Sequence, residues 1–426
     1  MNNKRSIVYL ALIFGLVRLL LLFYNNPNLI MNIDEESNYE VATNHYKGRG
    51  YTYFDEQKNA YLPTAFHASF TIFAYENLVL KNHIHKRYWV GFCNIISGLL
   101  LAISIYYFYQ LSLLFIEQKW AYYCTLSYCI FPSVLYYVGS LFWYEQIVLS
   151  LMIIALYFAI KSIKEKLAFY EIFSLLICVT LSSLLRIQTI AIFAPLLIFL
   201  ILLLAYQKQY KKSLMYAFVA IIGFASHFPS LKKNQQLFGS YILSTQMGYE
   251  ILQGHNPNAK GSWMGDWLLP SSALYQYSHK KIPDIETLNQ YSEGIARKKV
   301  AFNWIKENPF DEIKLSFRKM LLYFLPRNFE FLPMNQLPNP INFIFYIGFL
   351  ACAMMSFGSR NKFWTIEKTI ILIPILGSIA LTLVFFMGAR WRYYAEPFMI
   401  IFAFMAFQQI SPRLNLLKNK FDGFQK

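Results

Sequence analysis

The chain has 426 residues, of which 56% are hydrophobic and only 15% are charged. Soluble domains carry about 25% charged residues, so the composition argues against an ordinary soluble protein. The formal net charge of +16 favours attraction to anionic lipids; it argues against nucleic acid as a partner, because the basic residues fall on both predicted sides of a membrane.

Apolar runs of about 17–22 residues recur along the chain and are long enough to cross a bilayer as helices. They are continuous rather than alternating, which excludes the pattern of a β-barrel. We therefore predict an all-α polytopic membrane protein with about 10 transmembrane helices. The predicted spans are 6–24, 88–109, 120–139, 143–160, 168–185, 187–205, 213–230, 341–357, 369–387 and 395–410.

Lys and Arg residues in the short loops set the predicted orientation. They concentrate on the side that holds both termini, which we expect to be cytoplasmic. The predicted segments are a first helix that is an uncleaved signal anchor (1–24), an outer loop (25–87), helices 2–7 (88–230), a large outer loop with a helical cap (231–340), helices 8–10 (341–410) and a cytoplasmic tail (411–426).

The first outer loop opens with three consecutive acids, Asp34-Glu35-Glu36. A helix is expected over about 35–47, with Tyr39 on its apolar stripe. A second amphipathic helix is expected over 65–80. Both would lie along the membrane surface, beside the acidic residues.

The second outer loop contains the turn-rich stretch from Gly254 to Ala259, which includes His255, Asn256 and Asn258. Helices are predicted over 285–307 and over 310 to about 324, the latter carrying Lys319. The sequence leaves two interpretations equally open: a structural cap over the bundle, or a surface that contacts a polar substrate.

Charged residues at the outer span ends all fall on one predicted side. They are Asp34, Glu35, Glu36, Glu145, Arg186, Arg390 and Arg392. A single arginine there usually extends to the headgroups, and a single glutamate usually stabilises a helix N-terminus. Gathered together, they would form a site for an acid–base group and an anion.

Their chemistry suggests separate roles. Arg390 and Arg392 are suited to a phosphate, which guanidinium groups bind in a bidentate manner, and Arg186 could add a third positive group. Asp34 is suited to a general base, because a partly desolvated carboxylate is more basic. Arg18, inside the first span, requires one of these acids or the same anion as a partner. A carboxylate cluster could also hold a divalent cation, and the residues indicate no other cofactor.

Short motifs in this order resemble the bacterial relatives of the protein O-mannosyltransferases and aminoarabinose transferases, within the C-type superfamily of membrane glycosyltransferases. The matching stretches are Asp34-Glu35, Tyr144-Glu145, Leu185-Arg186-Ile187-Gln188, Gly254 to Ala259, Trp304 to Pro309 with Lys319 beyond, and Arg390 to Pro397. His255 departs from the family pattern, which has Asn at that place, and Glu36 adds a third acid.

The resemblance implies a polyprenyl-phosphate-linked sugar as donor and an active site on the outer face of the bacterial inner membrane. It implies Asp34, Glu35 and Glu145 as catalytic residues. Substrate contacts would come from Glu36, Tyr39, Arg186, His255, Asn256, Asn258, Lys319, Arg390 and Arg392. No metal ligands are assigned.

We therefore expect an inverting glycosyltransferase acting on a hydroxyl of a glycan, a lipid or a protein. One alternative is a transporter or flippase of lipid-linked sugars, although such proteins usually contain paired half-repeats and broken midplane helices. Another is a polysaccharide polymerase or ligase, which does not need an acidic pair after its first span. A structural membrane subunit is the non-enzymatic alternative.

Overall fold

The computed structural model describes residues 3–25, 28, 33–55, 60–64, 69–131, 133–135, 144–166, 168–262, 270–324 and 365–424. Side chains are described at all of these positions except 3–4, 22, 25, 33–34, 55, 69, 389 and 412–424. The predicted eighth span (341–357) and the stretch 325–340 lie outside these ranges, as does part of the predicted third span.

The described chain is mostly helical. In chain order the helices are α1 (Asn3–Asn25), α2 (Ile33–Tyr46), α3 (Ser69–Ala74, continued by the π-helical segment Tyr75–Leu80), α4 (Lys86–Leu113), α5 (Gln118–Cys129), α6 (Tyr144–Lys164), α7 (Phe169–Leu185), α8 (Ile190–Tyr206, preceded by the 3-10 turn Ile187–Thr189), α9 (Tyr210–Ala225), α10 (Phe228–Phe238), α11 (Met247–Gly254), α12 (Ala273–Lys281), α13 (Gln290–Glu307, preceded by the 3-10 turn Ile285–Thr287), α14 (Pro309–Phe324), α15 (Ile366–Val384), α16 (Ala389–Tyr393) and α17 (Glu396–Phe424).

Five described helical segments are long and apolar enough to cross a membrane. They are Lys86–Leu113, Tyr144–Lys164, Ile187–Tyr206, Tyr210–Phe238 and Ile366–Val384. The segments Phe169–Leu185 and Glu396–Ser411 are apolar but shorter. The helices thus agree with an all-α membrane protein, whereas the predicted number of about 10 spans is not established.

The outer surface of α9 shows why the bundle suits a lipid environment. Leu214, Phe218 and Ile221 follow helical spacing and are each more than half exposed. A stripe of large apolar side chains on one helix face is costly in water and normal against lipid tails. We therefore treat the bundle as membrane-embedded.

Helix α6 lies at the centre of the bundle, and nearly all of its side chains are buried. It packs against α4 and α7, and α1 also packs against α4. At the contact between α1 and α4, a Cβ atom added to Gly15 would lie 3.1 Å from the Gly98 carbonyl oxygen. Small residues of this kind let membrane helices approach closely.

Ion pairs fix both ends of the bundle. At one end, Lys161 Nζ lies 2.6 Å from Glu171 Oε1, joining α6 to α7, and Lys164 Nζ lies 3.2 Å from Glu367 Oε1, joining α6 to α15. At the other end, Glu145 in the first turn of α6 meets Arg186, which follows α7. Helix α6 therefore runs antiparallel to α7 and to α15.

The first outer region contains a hairpin that the sequence pattern did not indicate. Strands β1 (Thr52–Asp55) and β2 (Ala60–Pro63) pair antiparallel, with Thr52 opposite Pro63. The predicted helices on either side are present as α2 and as α3 with its π-helical continuation. The π-helical turn was also not foreseen, because its residues follow the same apolar spacing as an α-helix.

The second outer region forms a helical cap, in which α11 packs against α13. A Cβ atom on Gly248 would lie only 1.9 Å from the Gly294 carbonyl oxygen, so the two backbones touch. The predicted helix over 285–307 is divided: Asn289 caps α13 by accepting a hydrogen bond from the Ser292 N–H at 2.8 Å. Its predicted end before Pro309 agrees with the structure.

Candidate functional site

The centre of the candidate site is a buried ion pair between Glu145 and Arg186. The Arg186 Nη2 atom donates to Glu145 Oε1 at 2.6 Å, and both side chains are almost fully buried. Glu145 belongs to the first turn of α6, while Arg186 stands where α7 ends and the chain turns into a 3-10 helix. Two residues 41 positions apart are therefore brought into direct contact.

Arg390 completes this cluster from the last part of the bundle. Its Nη1 atom lies 3.9 Å from the same Glu145 oxygen, and its side chain is 27% exposed. Within the described part of the chain, the second carboxylate oxygen of Glu145, Oε2, is buried and accepts no hydrogen bond. We call Glu145, Arg186 and Arg390 the arginine cluster. It holds two positive charges for one negative charge, and Arg390 is its accessible member.

The acidic motif of the first outer region lies beside this cluster. Glu35, in the first turn of α2, is buried, and its charge acts on the hydroxyl groups of Tyr75 and Tyr144. The Arg186 guanidinium carbon lies 5.4 Å from the ring centroid of Tyr144. Tyr144 therefore stands between the acidic motif and the arginine cluster.

Asp34, the predicted base, immediately precedes Glu35 in α2. Its side chain lies outside the described residues, so its predicted role stays a prediction. The helix places its backbone in the same turn as the buried Glu35. Asp34 is therefore one residue away from the part of α2 that faces Tyr144.

Glu36 and Tyr39 of α2 both lie near Lys86 at the start of α4. Glu36 is 59% exposed and its Oε1 atom lies 3.1 Å from Lys86 Nζ. The same ammonium group lies 5.9 Å from the ring centroid of Tyr39, which packs edge-on against Tyr75. The structure thus places Glu36 in a surface pair and separates it from the buried Glu35.

Arg392 does not join the arginine cluster. Its Nε atom donates to Glu396 Oε1 at 2.9 Å, and its Nη1 atom donates to the Tyr323 carbonyl oxygen at 3.3 Å. Glu396 also accepts a hydrogen bond from the Ser133 hydroxyl. Because Arg392 is buried in contacts that join α14, α16 and α17, its geometry favours a structural role over the predicted phosphate contact.

Arg18 is completely buried within α1. Its charge interacts with Tyr393, whose hydroxyl donates to Gln146 in α6. The prediction that Arg18 pairs with one of the acids of the site, or with the same anion, is not settled by these contacts.

His255 and Lys319 meet at the end of α15. His255 Nδ1 lies 2.9 Å from Glu312 Oε2, and its Nε2 lies 2.9 Å from the Val384 carbonyl oxygen. Lys319 Nζ lies 3.2 Å from His255 Nε2 and donates to the Leu383 carbonyl oxygen at 3.0 Å. The two side chains therefore cover the last carbonyl groups of α15, where a helix carries partial negative charge.

Electrostatics in this group follow from burial. Burial lowers the pKa of Lys319 to about 8, although the nearby Glu312 opposes that shift. Burial alone would raise the pKa of Glu312, but the hydrogen bond to His255 and the charges of His255 and Lys319 hold it below its usual value.

The loop with His255 is pressed against the segment that leads to Arg390. A Cβ atom on Gly254 would lie 1.6 Å from the Phe385 carbonyl oxygen, so only glycine allows this contact. The Met387 N–H donates to the Gly261 carbonyl oxygen at 2.8 Å. The helical cap is therefore attached directly to the chain that positions Arg390.

The two asparagines of this loop shape its turn. Asn256 Nδ2 donates to the Leu252 carbonyl oxygen at 2.8 Å, and its Oδ1 accepts from the Asn258 N–H at 2.8 Å. Asn256 is buried, whereas Asn258 is exposed. Of the two, only Asn258 has the exposure that the predicted substrate contact needs.

No group of three His, Cys, Asp or Glu side chains suited to a metal ion occurs among the described residues. The Asp34 carboxylate is outside the described side chains, so this absence does not extend to it. The suggestion that the acidic motif holds a divalent cation is therefore not tested at its central residue.

The fold brings to the site several residues to which the sequence analysis assigned no role. Tyr144 and Tyr394, which belong to the matching stretches, flank the arginine cluster, and Glu312 holds His255. Glu312 carried no signal in the sequence, because an acid in the first turn of a helix is the ordinary partner of the helix dipole.

No protein-family model matches this sequence, and neither does any curated protein. Among solved structures, the chain is similar to the archaeal oligosaccharyltransferase AglB from Archaeoglobus fulgidus, in complex with an inhibitory peptide and a dolichol-phosphate. The two are 14% identical with a TM-score of 0.49, and the match covers 99% of this chain and 52% of the other. The chain thus spans about half the length of that structure, and a match at this TM-score establishes neither fold nor function.

Proposed function

We propose that this chain is a membrane glycosyltransferase that moves a sugar from a polyprenyl-phosphate-linked donor to an acceptor hydroxyl. The observation that supports it best is the convergence of Glu145, Arg186 and Arg390 beside the buried Glu35 and Tyr144. The acidic residues in the first turn of α2 would supply a general base, and the two guanidinium groups beside them would bind an anion. The ordered motifs described above suggest the same class of enzyme.

Arg390 is the residue proposed to bind the donor phosphate. It is partly exposed, whereas Arg186 is buried against Glu145. Glu145 then acts as a positioning residue that fixes both guanidinium groups. Guanidinium groups held in a dry site stabilise the charge that develops on a leaving phosphate.

In the proposed reaction, Asp34 removes the proton from the acceptor hydroxyl. The acceptor oxygen attacks the anomeric carbon, and the bond between that carbon and the phosphate oxygen breaks. Polyprenyl phosphate leaves with the bonding electron pair, and the anomeric configuration inverts. A positioned base of this kind contributes roughly 10²–10⁴-fold in rate.

Substitution of the base tests the proposal. Asp34→Asn protein in host membrane vesicles, which contain both the lipid-linked donor and the acceptor, should release polyprenyl phosphate at least about 100-fold more slowly than the wild type. Mass spectrometry of the released lipid measures this without knowledge of the acceptor. The same amide substitution at Asp311, an exposed residue of α14, is the matched control and should retain full activity.

Undiminished release by folded Asp34→Asn protein would overturn the assignment of the base. Movement of intact lipid-linked sugar across liposomes, without release of polyprenyl phosphate, would instead support the transporter alternative. The geometry favours the enzyme, because the arginine cluster lies at the ends of α6 and α7 and not at their midpoints.

The predicted orientation places this site on the outer face of a bacterial inner membrane. The acceptor would reach Arg390 from that side, below the helical cap. Glycan, lipid and protein hydroxyls remain alternatives for the acceptor.

A further inference from the structure

Helix α14, which follows α13 in the second outer region, has two contrasting faces. On one face, Leu315, Lys319 and Tyr323 recur every four residues and are buried. The other face carries four large apolar side chains, each between 44% and 78% exposed: Phe310, Ile313, Phe317 and Leu321. We call these four residues the apolar stripe.

The apolar stripe is a continuous row. Its members are three or four residues apart in sequence, so an α-helix places them on one side. The described part of the chain leaves this row uncovered. Contiguous apolar surface of this kind is costly in water and marks contact with a membrane or with another protein.

The path of α14 along α15 indicates that the contact is with lipid. Lys319 Nζ donates to the Leu383 carbonyl oxygen at 3.0 Å, at the end of α15 nearest the helical cap. One turn later in α14, the Tyr323 hydroxyl donates to Ser378 Oγ at 3.0 Å. Ser378 precedes Leu383 by five residues, which is about 7.5 Å along a helix. The second half of α14 therefore descends beside a helix that is suited to cross the membrane.

The apolar stripe also continues the lipid-facing surface of the bundle. Phe317 and Leu321 stand two residues before and after Lys319, so they lie within about 3 Å of its level along the α14 axis. Near the same level, Val384 of α15 is exposed as well, and Leu376 is exposed deeper in the same helix. The exposed apolar surface of α15 is thus extended by α14 toward the helical cap.

Basic side chains flank the apolar stripe. Lys314 and Arg318 are exposed, and at 3.6 residues per turn they lie beside the stripe on the side that also carries Asp311. Lysine and arginine in such places extend their charged ends to lipid headgroups, while their stems cover apolar surface. An apolar stripe with a basic flank is typical of a helix at the membrane interface.

We propose that α14 is an interfacial helix whose apolar stripe is inserted among the lipid tails of the leaflet on the side of the helical cap. Because Lys319 and Tyr323 join the opposite face of α14 to α15, this insertion holds the cap at the level of the lipid headgroups. The inference concerns a surface outside the arginine cluster and does not depend on sugar transfer.

Single introduced cysteines in lipid nanodiscs test this proposal. Ile313→Cys and Phe317→Cys place a thiol in the apolar stripe, whereas Asp311→Cys places one on the polar side of the same helix, where the side chain is 62% exposed. Both stripe thiols should react with a membrane-impermeant maleimide at least about tenfold more slowly than the Asp311→Cys thiol, because the thiolate is the reactive form and lipid disfavours it. The unsubstituted protein gives the background from the native cysteines.

A fluorescent probe then distinguishes lipid from protein as the cover. An NBD group is attached to each introduced thiol in detergent, before reconstitution. The two stripe probes should be quenched by lipids that carry a nitroxide on the acyl chain, and the Asp311→Cys probe should be quenched by aqueous iodide.

Fast maleimide reaction at the stripe thiols would show that the apolar stripe faces water, and it would overturn the proposal. Slow reaction without quenching by lipid would overturn it too, because a second copy or residues of this chain outside the described ranges would then cover the stripe. Ile313 and Phe317 are both exposed, so either variant decides the matter if the other does not fold. None of these readouts involves sugar transfer, so they stand apart from the test of Asp34.

Discussion

At the scale of single residues, the Glu145–Arg186 pair defines the site, because both groups have been removed from water. Two buried charges are tolerated only when their geometry is good, and here one guanidinium nitrogen lies 2.6 Å from the carboxylate oxygen. The sequence alone could identify these two residues as candidates, but it could not show that they contact each other. The sequence pattern of an arginine or a glutamate at a span end is the same whether the side chain faces lipid headgroups or another helix.

A double-mutant cycle measures this pairing. Glu145→Leu or Arg186→Met alone should lower the free energy of unfolding by about 3–5 kcal/mol, since each removes the close partner of a buried charge. The double variant should lose less than the sum of the two. Thermal unfolding in detergent provides the measurement, and strictly additive losses would show that the two charges do not interact.

At the scale of elements, the C-terminal end of α15 is where the helical cap is joined to the bundle. Lys319 and His255 cover the carbonyl oxygens of Leu383 and Val384, and Gly254 touches the Phe385 backbone. Both His255 and Lys319 were predicted to contact substrate, and that role stays a prediction. Their contacts with α15 support the segment that carries Arg390.

Because the pKa of Lys319 is lowered, its contribution to the free energy of unfolding depends on pH in a known direction. The folded-state value is about 8 and the ordinary value is 10.5, so the unfolded chain binds more protons between these pH values. The lowered pKa of Lys319 should therefore add a rise to the free energy of unfolding as the pH increases from about 8 to about 10.5. Lys319→Met should remove this contribution, so that its free energy of unfolding rises less over this range than that of the wild type, as measured by denaturant unfolding at several pH values.

Lys314→Met provides the control, because Lys314 is an exposed residue of the same helix. It should keep the pH dependence of the wild type. An unchanged rise in Lys319→Met protein would contradict the assignment of this effect to Lys319.

At the scale of the whole molecule, α6 separates two surfaces with different chemistry. One end holds the arginine cluster, the acidic helix α2 and the helical cap; the other holds the ion pairs that Lys161 and Lys164 form with Glu171 and Glu367. The orientation of these surfaces rests on the distribution of basic residues in short loops.

Cysteine labelling in intact cells tests this orientation. Asp311→Cys, in the helical cap, should react with a membrane-impermeant maleimide. Gln207→Cys, in the exposed turn between α8 and α9, should react only after permeabilisation. The reverse pattern would place the candidate active site on the cytoplasmic side.

Sequence periodicity predicted the helices well, because continuous apolar runs in a membrane leave the backbone no alternative to helical hydrogen bonding. It also indicated the surface helices of the first outer region and the end of α13 before Pro309. It did not indicate the β-hairpin, whose strands Thr52–Asp55 and Ala60–Pro63 are short and lack clear alternation. The acidic and basic residues with chemistry suited to the candidate site could likewise be selected from the sequence alone.

The sequence by itself thus determined the helical class, the membrane character and the group of charged residues at the span ends. Only the tertiary structure decided that Arg390 approaches Glu145 while Arg392 turns to Glu396, and that Glu36 separates from Glu35. The physical reason is that helix formation depends on neighbours in sequence, whereas pairing of charges depends on which helix ends pack together. Residues two positions apart can therefore face different partners.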